Sequence, residues 1–163
     1  MKISQQKNSN QYPKEIITIE KLTEDSLEEM VIPTVVNNEF EEIAVQTAIS
    51  FMNSFNAQDN RGCSNACNFP HARVGKDGKL VVTENPPIQN DGFFEWFINF
   101  YKWNHSCWDY RQVIQSDPNK VHLQVQFSRY RADGSKIGVF PSLWIITNQE
   151  GHWGIKMRSS FAP

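Results

Sequence analysis

Apolar positions first recur at helical spacing between residues 38 and 57. Phe40, Ile43, Ala44, Ala48, Phe51, Met52 and Phe55, with Thr47, fall on one stripe and predict an amphipathic helix. Asn38 and Glu41 form a capping pair at its start. The run Asn56-Ala57-Gln58-Asp59 breaks the stripe. Asp59 then caps a second, short helix to about residue 68, with Cys63, Ala66 and Cys67 inside and Pro70 as its stop. Residues 72–76 and 79–83 flank Asp77-Gly78 and predict a hairpin. Beyond Pro86-Pro87, Asp91 caps a third helix reaching about Trp103. Its sequence, FFEWFINFYKW, is apolar nearly all round, so it is expected to be covered on more than one side.

From His105 the period changes from helix to strand. Four segments, about 106–116, 120–131, 136–148 and 152–161, are separated by Asp117-Pro118-Asn119, Asp133-Gly134 and Glu150-Gly151. Long strands joined by tight turns predict an antiparallel meander. In the second segment Val121, Leu123, Val125 and Phe127 alternate with His122, Gln124, Gln126 and Ser128, which marks a half-buried strand. The third segment is apolar on both faces. Ile137, Val139, Leu143 and Ile145 share one, Phe140, Trp144 and Ile146 the other, and Pro141 suggests a bulge. Ahead of all this, residues 1–13 are polar and aperiodic, 14–22 suit a short strand, and Thr23 caps a short helix with Leu27, Met30 and Val31, ended by Pro33.

At 163 residues the chain has room for one ordinary domain with a core of its own. A formal charge of -2, with basic residues scattered, argues against a nucleic-acid partner. No apolar run is long enough to span a membrane, and the first residues lack the apolar core of a secretory signal, so the expected location is cytoplasmic. Cys63, Cys67 and His71 stand four residues apart, but a fourth ligand and paired spacing are missing, so they read as packing residues and no metal site is expected. The eleven Phe and five Trp must fill a core, line a pocket or cover an interface.

The element order resembles the nuclear transport factor 2-like superfamily, which includes ketosteroid isomerases, scytalone dehydratase and SnoaL-like polyketide cyclases. The supporting residues are the helix end from Phe51 to Asp59 with its Asn-x-x-Asp break, the FFEWFINFY helix and the terminal run HWGIKMRSSFAP. The resemblance covers roughly residues 38–163 and leaves 1–37 as an N-terminal extension. It implies an α+β cone: a curved antiparallel sheet, made of a four-strand meander plus a hairpin, wrapped around three helices and enclosing one pocket. It also implies a homodimer packed sheet to sheet, for which Phe140, Trp144 and Ile146 are the expected face. It implies no reaction, because one fold hosts many functions. Ketosteroid isomerases place a Tyr on the first helix, whereas this helix carries Phe51 and Phe55 and no Tyr.

Candidate chemistry is therefore read from residue types. His71 suits a general base, and Arg73, two residues along an extended chain, points the same way as a holder of a carboxylate or enolate. The competing reading has His71 satisfying a backbone carbonyl and Arg73 at the surface. Trp108 and Tyr110 alternate with Asp109 and Arg111, and the aromatic pair is the expected inward one, making Tyr110 a hydrogen-bond donor. Trp96, Tyr101, Trp108 and Arg158 complete the expected ligand contacts, although Arg158 also fits a solvated strand face and Trp96 and Tyr101 a plain core. Three functions fit: a domain binding a small, largely apolar molecule; a cofactor-independent cyclase, isomerase or dehydratase with His71 as base; or a non-catalytic dimerisation module. No cofactor is implied.

Overall fold

Residues 34–163 are described in the computed structural model, and the strand expected over 14–22 and the helix expected after Thr23 lie outside the described residues. Helix α1 (Glu39–Asn56) starts where Asn38 is extended and its side chain accepts from the Glu41 N–H at 3.0 Å. The Glu41 carboxylate answers by accepting from Asn38 Nδ2 at 3.0 Å and from the Asn37 N–H at 2.7 Å, so the chain's entry into the helix is tied from both sides. Ala44, Val45, Ala48, Phe51, Met52 and Phe55 form the buried stripe. Ile43 and Thr47 are only half-buried, so the stripe turns towards Val45.

Helix α2 (Asn60–Asn65) is capped by Asp59, which accepts from the Gly62 N–H at 2.9 Å. It ends sooner than expected. The Ala66 carbonyl accepts from the Ile155 N–H, Cys67 opens strand β1 (Cys67–Val74), and Pro70 lies within that strand. The sheet captures the chain before the proline is reached. Strand β1 pairs with β2 (Leu80–Thr83) across the Asp77-Gly78 turn, where Gly78 takes φ 77°. Helix α3 (Phe93–Tyr101) starts from Gly92 in left-handed backbone, with no side-chain cap from Asp91. Only Phe97 of this helix is fully buried, while Trp96 is 52% and Phe100 67% exposed. The second cover expected for α3 is missing among the described residues.

Strands β3 (His105–Asp117), β4 (Lys120–Tyr130), β5 (Lys136–Gln149) and β6 (His152–Ser160) form the meander. The open sheet runs β2-β1-β6-β5-β4-β3, antiparallel throughout except for the parallel β1–β6 junction. Val121, Leu123, Val125 and Phe127 line its inner face in one core with the α1 stripe. Trp144 and Ile146, 2% and 0% exposed, belong to that same face, with the Phe51 ring 5.5 Å from Trp144. The homodimer face expected from Phe140, Trp144 and Ile146 is therefore turned into the chain's own core. Either apolar face of β5 satisfies the alternation, and α1 covers this one. Val139 and Leu143 are left exposed outside, along with Ile114.

Pro141 makes no bulge and stands opposite Gln126. The extra residues sit elsewhere: Asp109 and Ile114 in β3, Ile137 in β5 and Lys156 in β6. Each one reverses which later side chains face inward.

Candidate ligand-binding site

The inner face collects cations as well as rings. Arg73 and Arg158 stand opposite each other across the parallel β1–β6 junction. Arg129 continues the inward series Val121, Leu123, Val125, Phe127 on β4. It is 8% exposed, and its guanidinium carbon lies 4.7 to 5.7 Å from the ring centres of Phe55, Phe97, Phe127 and Phe140. The Nε and Nη1 of Arg129 are buried without acceptors. The Arg158 guanidinium lies 4.6 Å from the Phe51 ring centre and 5.8 Å from that of Trp144. Arg73 donates from Nη2 to the Ala162 carbonyl at 2.7 Å.

Among the described residues, none of these arginines forms an ion pair; the pair the structure forms is Lys79 with Asp77 at an exposed turn. Burial, followed by repulsion from Arg73 and Arg158, lowers the Arg129 guanidinium to about 10. Burial also lowers Arg73 and Arg158, and each feels a neighbouring charge: Asp77 opposes the shift at Arg73, and Arg73 adds to it at Arg158. All three remain charged at neutral pH. Like charges placed opposite one another in a sheet destabilise it, and a buried charge without a partner costs more still.

His71 is 1% exposed and fully engaged. Nδ1 lies 2.8 Å from the Ile155 carbonyl, which only accepts, so Nδ1 carries the proton. Nε2 then accepts from Arg158 Nε at 3.2 Å. Burial, and next the charge of Arg158, push His71 down to about 4. Its lone pair is engaged by Arg158, so both ring nitrogens have partners in this arrangement. His71 orients a cation. Burial raises the thiols of Cys63 and Cys67 to about 12 and about 11, so both are neutral thiols at neutral pH.

The remaining candidates divide. Trp108 faces inward, with its ring 5.4 Å from Trp144 and 6.0 Å from Phe127, and its indole N–H, like that of Trp144, is buried without an acceptor. Tyr110 is on the outer face beside Gln126, because the Asp109 bulge reverses the alternation that pointed it inward. Asp109 lies outward too and accepts from Ser128 and Gln126. Tyr101 is half-buried, with its ring 5.1 Å from that of Phe97, the ring over which Arg129 lies. Trp96 sits outside, stacked on Phe100 at 5.7 Å. The Lys156 bulge brings Arg158 inward, on the side it shares with Ile155. Arg129 escaped the sequence reading, although a charged residue in phase with four apolar ones on a half-buried strand was a usable signal.

Arg73, Tyr101, Trp108, Phe140 and Arg158 belong to the inner side yet remain only partly buried, so solvent reaches this region. Two grooves lie elsewhere. One of about 320 Å³ runs between α1 and α2 past Trp153, and one of about 330 Å³ lies on the outer sheet between Ile114, Leu143 and Phe161.

No protein-family model matches this chain, and no curated protein matches it. Solved structures do. A protein of unknown function with a cystatin-like fold from Nostoc punctiforme superposes with a TM-score of 0.62 at 12% identity, covering 77% of this chain and 93% of that one. An NTF-2 like protein of unknown function from Shewanella oneidensis gives 0.57 at 12% identity, covering 76% and 100%. The association domain of CaMKII from C. elegans gives 0.55 at 9% identity, covering 76% and 95%. At such identities the likeness is one of backbone alone, and the fold of this chain is that of the nuclear transport factor 2-like superfamily.

Proposed function

We propose that the inner face binds a small organic anion. Its charged group meets Arg73, Arg129 and Arg158, and its apolar body packs against the surrounding rings. The observation that carries this reading is Arg129, which is buried, charged and without a carboxylate among the described residues, with two guanidinium nitrogens lacking acceptors. A buried cation of this kind is costly unless something beyond the described residues completes it. Two indole N–H groups of the same inner face, Trp108 Nε1 and Trp144 Nε1, are buried without acceptors and are donors as well, which favours a complement rich in acceptors. The ligand expected from the sequence, small and largely apolar, thereby acquires a negative charge.

The test is calorimetric titration with benzoate and with neutral benzamide, which share a ring and differ in charge. Benzoate is expected to bind more tightly, and Arg129→Met to weaken it by about tenfold or more, the worth of one charge-assisted hydrogen bond. Equal affinity for the two probes would sink the reading.

A second reading rests on Ile114, Val139 and Leu143, which are exposed on the outer sheet face beside a groove. Apolar positions gathered on one face of the sheet suit a second copy of this chain. The CaMKII relative in fold is itself named an association domain.

A further inference from the structure

The chain does not stop at the end of β6. Phe161 and Ala162 continue past Ser160 as a short segment that crosses towards Arg73. It is lightly tethered. The Phe161 N–H reaches the Pro141 carbonyl at a long 3.4 Å, and the Ala162 N–H donates to Ser160 Oγ at 3.1 Å. Ser160 Oγ in turn meets Ser142 Oγ at 2.8 Å. Ala162 is 3% exposed and joins the core, whereas the Phe161 ring beside it is 60% exposed. The Ala162 carbonyl accepts from Arg73 Nη2 at 2.7 Å, the shortest hydrogen bond that any of the inner arginines makes.

We infer that Phe161-Ala162 is a strap that competes with the bound anion for Arg73. This rests on the anion-binding reading above. A peptide carbonyl is a neutral acceptor, and a guanidinium bonds a carboxylate more strongly and often through two parallel bonds. The carbonyl therefore stands in for the anion when none is bound. Arg73 is the inner arginine held in this way; Arg158 is held by His71, and two nitrogens of Arg129 have no acceptor. An entering carboxylate draws on Arg129 at no cost in existing bonds, but gains the same Arg73 nitrogen only by displacing the strap. The strap thus sets affinity without touching the apolar part of the ligand.

The experiment compares benzoate affinity, by calorimetry, for the full chain, for Ala162→Gly and for a chain ended at Ser160. The glycine keeps the carbonyl but loses the buried methyl and gains backbone freedom, so the strap loosens while the fold is kept, as checked by thermal melting. Both variants are expected to bind benzoate about three- to tenfold more tightly, the span of about one hydrogen bond. Adding Arg73→Met should abolish the gain. Measurable benzoate binding that is unchanged or weaker in a folded Ala162→Gly chain would overturn the strap and leave the anion reading standing. No benzoate binding by the full chain or either variant would overturn the anion reading, and the competition with it.

Discussion

At Arg129 a guanidinium enters the core among four phenyl rings, with two N–H groups lacking acceptors. Arg129→Met keeps the length and apolar character of the stem while removing the charge. It is expected to stabilise the free protein by about 1–3 kcal/mol in urea unfolding, the cost of leaving a buried polar group unpaired, while weakening benzoate binding by about tenfold or more. A gain in function with a loss of stability would contradict the assignment. His71 gives the second prediction at this scale. Its folded value, about 4, lies below the ordinary 6.5, so between these values the unfolded chain binds more protons. Stability should therefore rise with pH from about 4 to about 6.5 and level off above, with this residue contributing about 3 kcal/mol across the window. A urea series against pH checks this, and His71→Gln should flatten the rise.

At the scale of elements, the helices and strands were legible because their signals are local. The Asn38–Glu41 pair, the Asp59 cap, the Asp77-Gly78 turn and the four meander strands all stand within a residue or two of where pattern puts them. What pattern misses is a single extra residue. Asp109 sends Tyr110 outward, and Lys156 brings Arg158 inward, because alternation counts residues and a bulge adds one to the count. The end of α2 was misread for a different reason: it is set by β6, almost ninety residues away, through the Ile155–Ala66 bond. That junction is tight. A Cβ on Gly154 would stand 2.7 Å from the Cys67 carbonyl carbon and 2.8 Å from the Asn68 nitrogen. Since both are backbone atoms, Gly154→Ala should cost about 1–3 kcal/mol in thermal or urea unfolding. A neutral result would mean that β1 yields more easily than its packing implies.

At the scale of the whole molecule, sequence pattern established that β5 is apolar on both faces but not which face the helices would take. The covered face follows from the contact of Phe51 with Trp144, and the outer one is left with Val139 and Leu143. If two copies meet there, Leu143→Glu should shift sedimentation towards the monomer without lowering the melting temperature of the monomer itself. An unchanged mass would remove that face from consideration. The pairing of Arg73 with Arg158 across the one parallel junction has a consequence at the bench as well. If the inner face takes anions as proposed, small buffer ions compete for this cluster of like charges, and stability becomes a property of the solution as much as of the chain. Replacing chloride by sulfate at constant ionic strength should raise the melting temperature of the full chain more than that of Arg129→Met. Preparations in phosphate and in Tris would then behave as two different samples, and a ligand screen run in phosphate would be competing with its own buffer.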